Sequence, residues 1–283
     1  MNIGIVGLGL IGGSLGLDLR SQPNLHYVWG ISRNQTTCDR AVALGAVDVA
    51  SQNFASIPQI DRTDVVFICT PISAILPAIA SVIPHISQTA IITDVGSVKS
   101  SISLQGQMLW SRFVGGHPMA GTAFSGIEAA ERSLFQQRVC VLTPGIDRAA
   151  LEMVRSIWES VGATVYESSP EAHDRAVAWI SHLPVIVSAG LLLAAQREGN
   201  DEISQLAQKL ASSGFRDTSR VGGGNPELGR MMAEYNQTAL LDHLYSYQQT
   251  LQDLITMIEQ GQWQEIQTAL EVAQHLRPLY VRE

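Results

Sequence analysis

The sequence predicts an α/β protein: a doubly wound, mainly parallel sheet followed by an all-helical segment. Three observations carry that prediction. Short β-branched runs alternate with helix-length stretches as far as Glu167, the pattern of strand–helix–strand units. Most of those runs are almost continuously apolar, as in strands buried on both faces. Beyond Ser169-Pro170 no strand-like run follows.

The predicted strands are Asn2–Val6, Tyr27–Ser32, Val65–Cys69, Ala90–Asp94, Phe113–Gly116, Val139–Thr143 and Thr164–Glu167. Gly, Pro or Asp bounds most of them, and the intervals have room for crossover helices. The pattern changes at Ser168-Ser169-Pro170-Glu171. Ser169 can cap a helix, Pro170 suits its first position, and Glu171 suits the positive end of its dipole. Helices are expected over Glu171–Glu198, Asp201–Ser213, Pro226–Met257 and Trp263–His275, with a kink at Pro184 because proline lacks a backbone donor. Gly222-Gly223-Gly224 separates two of them and is expected to let the loop after Arg220 close over a ligand. The expected domains are therefore residues 1–169 and 170–283. Val185-Ile186-Val187 and Leu191-Leu192-Leu193 put apolar side chains all round their helix, which favours burial. A homodimer packed through the C-terminal helices is the expected way to cover them.

Of the 283 residues, 46% are hydrophobic and 16% charged, which supplies a core and excludes general disorder. A net charge of −8 with scattered basic residues leaves no footprint for nucleic acid. Cys38, Cys69 and Cys140 form no paired spacing, so neither a disulfide framework nor a zinc site is expected, and no other metal is. There is no basic n-region or cleavage site at the start. The longest apolar run, Leu183 to Ala195, falls short of the ~20 residues a membrane span needs. The expected compartment is the cytoplasm.

Gly7-Leu8-Gly9-Leu10-Ile11-Gly12 follows the first strand directly and leads into a helical stretch. In that context the glycines mark a Rossmann-type dinucleotide site. Gly7 permits the tight turn, Gly9 lets a pyrophosphate approach the backbone, and Gly12 lets helix and strand pack closely. Leu10 and Ile11 within the motif, and Thr70-Pro71 after the third predicted strand, are assigned to the cofactor as well. An NAD site usually carries an acid about 20 residues beyond the motif, to hold the ribose 2′-hydroxyl. Here the second strand ends in Ser32-Arg33, and no acid follows until Asp39. A hydroxyl beside a guanidinium suits a 2′-phosphate, so NADP is expected.

Thr93-Asp94-Val95-Gly96-Ser97-Val98-Lys99 lies at a strand's carboxyl end, where ligands of open α/β sheets sit. Ser97 can hydrogen-bond and Lys99 can meet a negative charge, or Asp94 and Ser97 can simply cap a helix. His117 sits in a glycine-flanked loop after another strand, well placed to move a proton. His173-Asp174 opens the second half; it can position a substrate, or Asp174 can serve the helix dipole. His182, among apolar neighbours, reads most simply as a core histidine. Arg216 and Arg220 flank Asp217, either as an ion pair or with one arginine free for a carboxylate.

These elements resemble the prephenate/arogenate dehydrogenase family of tyrosine biosynthesis. The matching stretches are Gly7-Leu-Gly-Leu-Ile-Gly-Gly-Ser14, Asp94-Val-Gly-Ser-Val-Lys99, Gly116-His-Pro-Met-Ala-Gly121, His173-Asp174, Ser181-His-Leu-Pro184 and Gly214-Phe-Arg-Asp-Thr-Ser-Arg220. The resemblance implies oxidative decarboxylation of a cyclohexadienyl substrate, with hydride passing to NADP+ and carbon dioxide leaving as the ring becomes aromatic. It implies that His117 accepts the hydroxyl proton, that Ser97 bonds to that hydroxyl or to His117, and that Arg220 binds a substrate carboxylate. Thr122 and Ser181 are implied in the pocket, with His182, Lys99, His173 and Asp174 near the substrate. Many prephenate-using relatives carry histidine where this chain has Val185. With Ser32-Arg33, that departure favours L-arogenate, giving L-tyrosine, over prephenate, giving 4-hydroxyphenylpyruvate. The end at Glu283 predicts neither an appended regulatory domain nor a fused mutase. Two rivals are weighed: other dehydrogenases pairing this fold with a helical domain, which typically carry the proton on a group in the second domain, and a non-catalytic NADP sensor, which needs no His117 and Arg220.

Overall fold

A computed structural model describes residues 1–23, 27–122 and 124–281. The last two residues of the predicted helical half thus lie outside the described residues. Eight strands form one sheet in the order β3-β2-β1-β4-β5-β6-β7-β8. They are β1 (Asn2–Val6), β2 (Tyr27–Ile31), β3 (Val49–Ser51), β4 (Val65–Ile68), β5 (Ile91–Asp94), β6 (Phe113–Pro118), β7 (Val139–Thr143) and β8 (Thr164–Glu167). The pairings are parallel except between β6 and β7, which run antiparallel with His117 opposite Val141. Seven strands match predicted runs to within two residues. The eighth, β3, is a three-residue edge strand of half-buried residues against β2, too short to show a period.

Strand alternation sends successive side chains to opposite faces. In β1, Ile3 and Ile5 join one core cluster and Val6 the other; in β4, Val65 and Phe67 oppose Val66 and Ile68. Helices α1 (Leu10–Arg20), α2 (Gln35–Ala43) and α5 (Arg148–Ser160) cover the first face, where Trp158 meets Phe67 and Phe135 edge-on. Helices α3 (Ile72–Val82) and α4 (Ser100–Leu109) cover the second through Ile75, Ile79 and Ile102.

Beyond the sheet come α6 (Pro170–Val177), a π-helical turn (Ala178–His182) and α7 (Leu183–Ala195). Ser169 caps α6 through the Ala172 amide at 3.2 Å. The expected irregularity at Pro184 is met by this π turn, which ends just before the proline. The continuous stretch Pro170–Ala195 contains an 18-residue window of mean hydropathy 1.9, long and apolar enough by composition alone to cross a membrane. In the fold, His173, Asp174, His182 and Ser188 of this stretch are buried in polar contacts instead.

Helices α8 (Asp201–Leu210), α9 (Ser213–Ser219) and α10 (Pro226–Tyr235) follow. The single helix expected over Pro226–Met257 is broken at Asn236. Two compact units result: Met1–Asn236, and Gln237–Glu283 with α11 (Gln237–Glu259) and α12 (Trp263–Tyr280) joined at Gly261, whose φ is +66°. The compositional change at residue 169 falls inside the first unit.

Gly4 faces Trp29 across the β1–β2 ladder, and a Cβ there would lie 2.2 Å from the indole. Trp29 cannot retreat, because it is fully buried and its Nε1 donates to Thr63 Oγ1 at 2.9 Å. Gly4→Ala is expected to destabilise the protein by about 1–3 kcal/mol through overpacking. Urea denaturation measures this; an unchanged midpoint would show that the indole can shift.

Candidate functional site

The chain leaves β1 in opposite directions across the sheet, so β1 and β4 flank the crevice where strand order reverses. Gly7, at the end of β1, has φ +103°, and its amide donates to the Ile31 carbonyl at 2.8 Å. A Cβ on Gly7 would lie 2.5 Å from the Cys69 carbonyl oxygen, and one on Gly12 would lie 2.1 Å from that of Gly7. Around Gly9 there is open space, and α1 starts there with no side-chain cap on its amides. Leu10 and Ile11 form the first turn of α1. Thr70, after β4, has a buried hydroxyl with no partner among the described residues, and Pro71 opens α3. Uncapped amides, a bare approach at Gly9 and an orphaned hydroxyl fit a dinucleotide pyrophosphate. At the end of β2, Ser32 is half-buried and Arg33 exposed, while Asp39 accepts from Gln35 at 2.8 Å.

Burial and charge shape the residues at the carboxyl ends of β5 and β6. Asp94 is wholly buried. It accepts from the Gly96 amide at 2.8 Å and the Gly116 amide at 3.1 Å, and is ion-paired with Lys99. The expectation that Lys99 meets a ligand's charge is corrected here. Its side chain has no exposed surface, and its ammonium is held by Asp94. Burial pulls the Lys99 ammonium below the ordinary lysine range, with the Asp94 charge opposing that. Ser97 is half-buried, and its hydroxyl has no partner among the described residues, so it is available to an incoming group.

His117 ends up beside His173, with Nδ1 of the first 2.8 Å from Nε2 of the second. His173 Nδ1 is in turn 2.8 Å from Asp174 Oδ1. Asp174 also accepts the Lys99 amide at 2.7 Å and the Ser100 amide at 2.8 Å. Helix α4 has no cap from its own N-terminal residue, and Asp174 of α6 supplies one. Burial alone would raise the Asp174 carboxyl, but hydrogen bonds from His173, Ser100 and Lys99 outweigh it and hold the group below the ordinary range. Burial, then the neighbouring His173, Lys99 and His182, keeps His117 well below the ordinary histidine value. It is therefore a neutral imidazole near pH 7, and its Nε2 makes no hydrogen bond among the described residues.

His182 is buried, with Nδ1 3.2 Å from the Asn236 amide nitrogen; its Nε2 has no partner among the described residues. Asn236 also donates to the Asp174 carbonyl at 2.8 Å. Sequence reasoning missed Asn236, because a lone asparagine inside a helical pattern carries no chemical motif. Ser181 is half-buried in the π turn. Thr122 lines a cleft of about 300 Å³ with Met119, Glu131, Gln136 and Arg138. Arg216 pairs with Asp217 at 3.1 Å, whereas Arg220, at the end of α9, is exposed with no partner among the described residues. Gly222 is not a hinge left loose. Its amide donates to Ser188 at 2.8 Å, and a Cβ there would lie 2.4 Å from the Ala189 amide nitrogen. The turn after Arg220 is clamped onto α7.

Comparison with known proteins gives one consistent result. Residues 15–167 match the family model described as the prephenate dehydrogenase nucleotide-binding domain, and residues 169–272 the one described as the prephenate dehydrogenase dimerization domain. The prephenate dehydrogenase of Bacillus subtilis is 33% identical over 262 residues, covering 90% of this chain and 70% of that protein. Synechocystis arogenate dehydrogenase is similar in structure with TM-score 0.88 and 52% identity, over 99% of this chain and 100% of that one. The A. aeolicus prephenate dehydrogenase solved with hydroxyphenyl propionate and NAD+ has TM-score 0.92 and 28% identity, over 98% of this chain and 97% of that one.

Burial pulls the His182 imidazole down to about 4 from an ordinary value of 6.5. The unfolded chain therefore binds a proton between those values that the folded chain refuses, and stability falls as pH drops through that window. His117, shifted the same way, adds to the loss. Thermal melts between neutral pH and pH 4 are expected to show a progressive decline, with His182 alone contributing about 3 kcal/mol when the loss is complete. A melting temperature flat across this range would contradict the burial of neutral histidines.

Proposed function

The chain belongs to the prephenate dehydrogenase family, and from that premise we propose that it converts L-arogenate to L-tyrosine with NADP+ as oxidant. The observation that carries the reading is His117. A neutral histidine stands at a strand's carboxyl end, in the same sheet as the glycine turn after β1. In this reading Gly7, Gly9, Leu10, Ile11, Gly12, Thr70 and Pro71 hold the cofactor, and Ser32 and Arg33 hold its 2′-phosphate. Bound NADP+ would supply the acceptor for hydride from the hydroxyl-bearing ring carbon.

His117 Nε2 takes the proton of the substrate hydroxyl, and Ser97 orients that oxygen through the hydroxyl the fold leaves unpaired. Arg220 meets a carboxylate of the substrate, with Thr122 and Ser181 at the pocket wall. Holding base and cation at fixed points converts substrate binding into orientation. Burial foremost, then His173 and the charge of Lys99 sealed under the site, disfavour a proton on His117 and keep the base neutral.

Val185 supports arogenate over prephenate, because an alkyl side chain offers no donor to a keto-acid. The arogenate dehydrogenase of Synechocystis, 52% identical, supports the same choice. Residues 1–169 are taken as the cofactor domain and 170–283 as the substrate and dimerisation domain. A homodimer in the cytoplasm is the working state. Its support is the dimerization model over 169–272 and the exposed Ile203, Leu206 and Leu210 stripe of α8.

The deciding assay offers L-arogenate or prephenate with NADP+ or NAD+ and follows reduced cofactor by absorbance. Turnover confined to arogenate with NADP+ is expected; equal use of prephenate would overturn the specificity reading and keep the family. His117→Asn is expected to lower kcat about 10²–10⁴-fold while the cofactor still binds. Because His117 is held below 6.5, kcat/KM is expected to persist as pH falls through 6.5 and to decline only further below it. Arg33→Ala is expected to weaken NADP+ by about tenfold or more, through loss of a charge-assisted contact, and to leave NAD+ little changed.

A further inference from the structure

We infer that His173 and Asp174 form a relay that fixes the tautomer of His117, so that its reactive nitrogen is a bare acceptor. The inference rests on the reading of His117 as the base and deepens it. The argument is one of forced donors and acceptors. An ionised carboxylate only accepts, so the 2.8 Å contact between Asp174 Oδ1 and His173 Nδ1 requires a proton on that nitrogen. In a neutral His173 the other nitrogen, Nε2, is then a bare acceptor. Its 2.8 Å contact with His117 Nδ1 requires the proton to sit on His117. Neutral His117 is thereby left with a lone pair on Nε2, which makes no hydrogen bond among the described residues.

The relay is anchored against rearrangement. Asp174 is held by the Lys99 and Ser100 amides as well as by His173, so its carboxylate cannot swing away. All three side chains are buried, at 8% exposure for His117, 3% for His173 and 4% for Asp174. Water therefore does not compete for these contacts. A free imidazole in water prefers its proton on Nε2, which would make His117 a donor to the substrate hydroxyl and not a base. The relay reverses that preference. In the chemical step the substrate O–H bond breaks and an Nε2–H bond forms. The positive charge that appears on the His117 ring is met through Nδ1–H by His173 and, one residue further, by the Asp174 carboxylate. His173 and Asp174 touch no reacting atom; they are positioning residues.

The test is a tautomer measurement that needs no turnover. Protein labelled with nitrogen-15 histidine is examined near neutral pH by long-range proton–nitrogen correlation, with the His117→Asn variant identifying the His117 signals. The expected spectrum shows a protonated Nδ1 and a bare Nε2 on His117. A protonated Nε2 on His117 in the unaltered protein would overturn the relay without any variant. In His173→Phe the His117 proton is expected to move mainly to Nε2, with kcat falling about 10²-fold and KM little changed, the cost of a base in the wrong tautomer. His173→Gln, whose amide oxygen can accept from Nδ1, is expected to recover part of both. An unchanged tautomer or unchanged kcat in His173→Phe would overturn the proposal. Because the spectrum is independent of substrate, a protein that used neither arogenate nor prephenate would still report whether the relay exists.

Discussion

The carboxylate of Asp174 is the contact on which the rest of the site depends. It lies on α6, yet it caps α4, and it takes the His173 ring as a third donor. A buried carboxylate is costly unless its oxygens are satisfied, and here several donors converge on them. Each such charge-assisted bond contributes about 1.5–3 kcal/mol. Removing the carboxylate would leave the first amides of α4 without an acceptor and His173 without its orienting partner. Asn236 reinforces the position by donating to the Asp174 carbonyl. One side chain thus fixes a helix start, a histidine orientation and the seam between sheet and helices.

Asp94 does the matching work from the sheet side. Its oxygens draw in the Gly96 and Gly116 amides and the Lys99 ammonium. That pins the loop carrying Ser97 to the strand carrying His117. The close approach has a steric condition. A Cβ on Gly116 would lie 2.6 Å from the Asp94 carbonyl oxygen, and one on Gly115 would lie 2.2 Å from Thr143 Oγ1. The glycine pair before His117 is therefore a packing requirement of the strand. The buried Lys99 charge beside it also helps set the chemistry, because a second cation on His117 is disfavoured. Stability and the proposed reactivity share the same groups: burial lowers both His182 and His117, the second being the base of the proposed reaction.

The parts of the fold that were legible were those whose signal is local. Nearly continuous apolar runs placed seven strands, and the glycine register placed the turn after β1. What escaped was set by distance. Strand β3 exists because β2 offers an edge to pair with; its Val-Ala-Ser sequence shows no pattern of its own. The antiparallel turn of β7 against β6 leaves no trace in either strand's composition. Lys99 beside a glycine loop reads as an anion site until the buried Asp94 is seen to hold it. Asp174 reads as a dipole residue of its own helix, whereas its partners are amides 74 and 75 positions away.

The sequence by itself singled out the residues to which the proposed chemistry is assigned: His117, Ser97, Arg220, the glycine turn and the Ser32-Arg33 pair each stand in a short motif. Only the tertiary structure decided what those residues face. It turned Lys99 inward, turned His173 and Asp174 toward His117, and clamped Gly222 against α7. The reason is that motif spacing fixes side-chain direction along one element. Whether a charge is solvated, paired or spent on a neighbour depends on elements that meet only when the chain is packed.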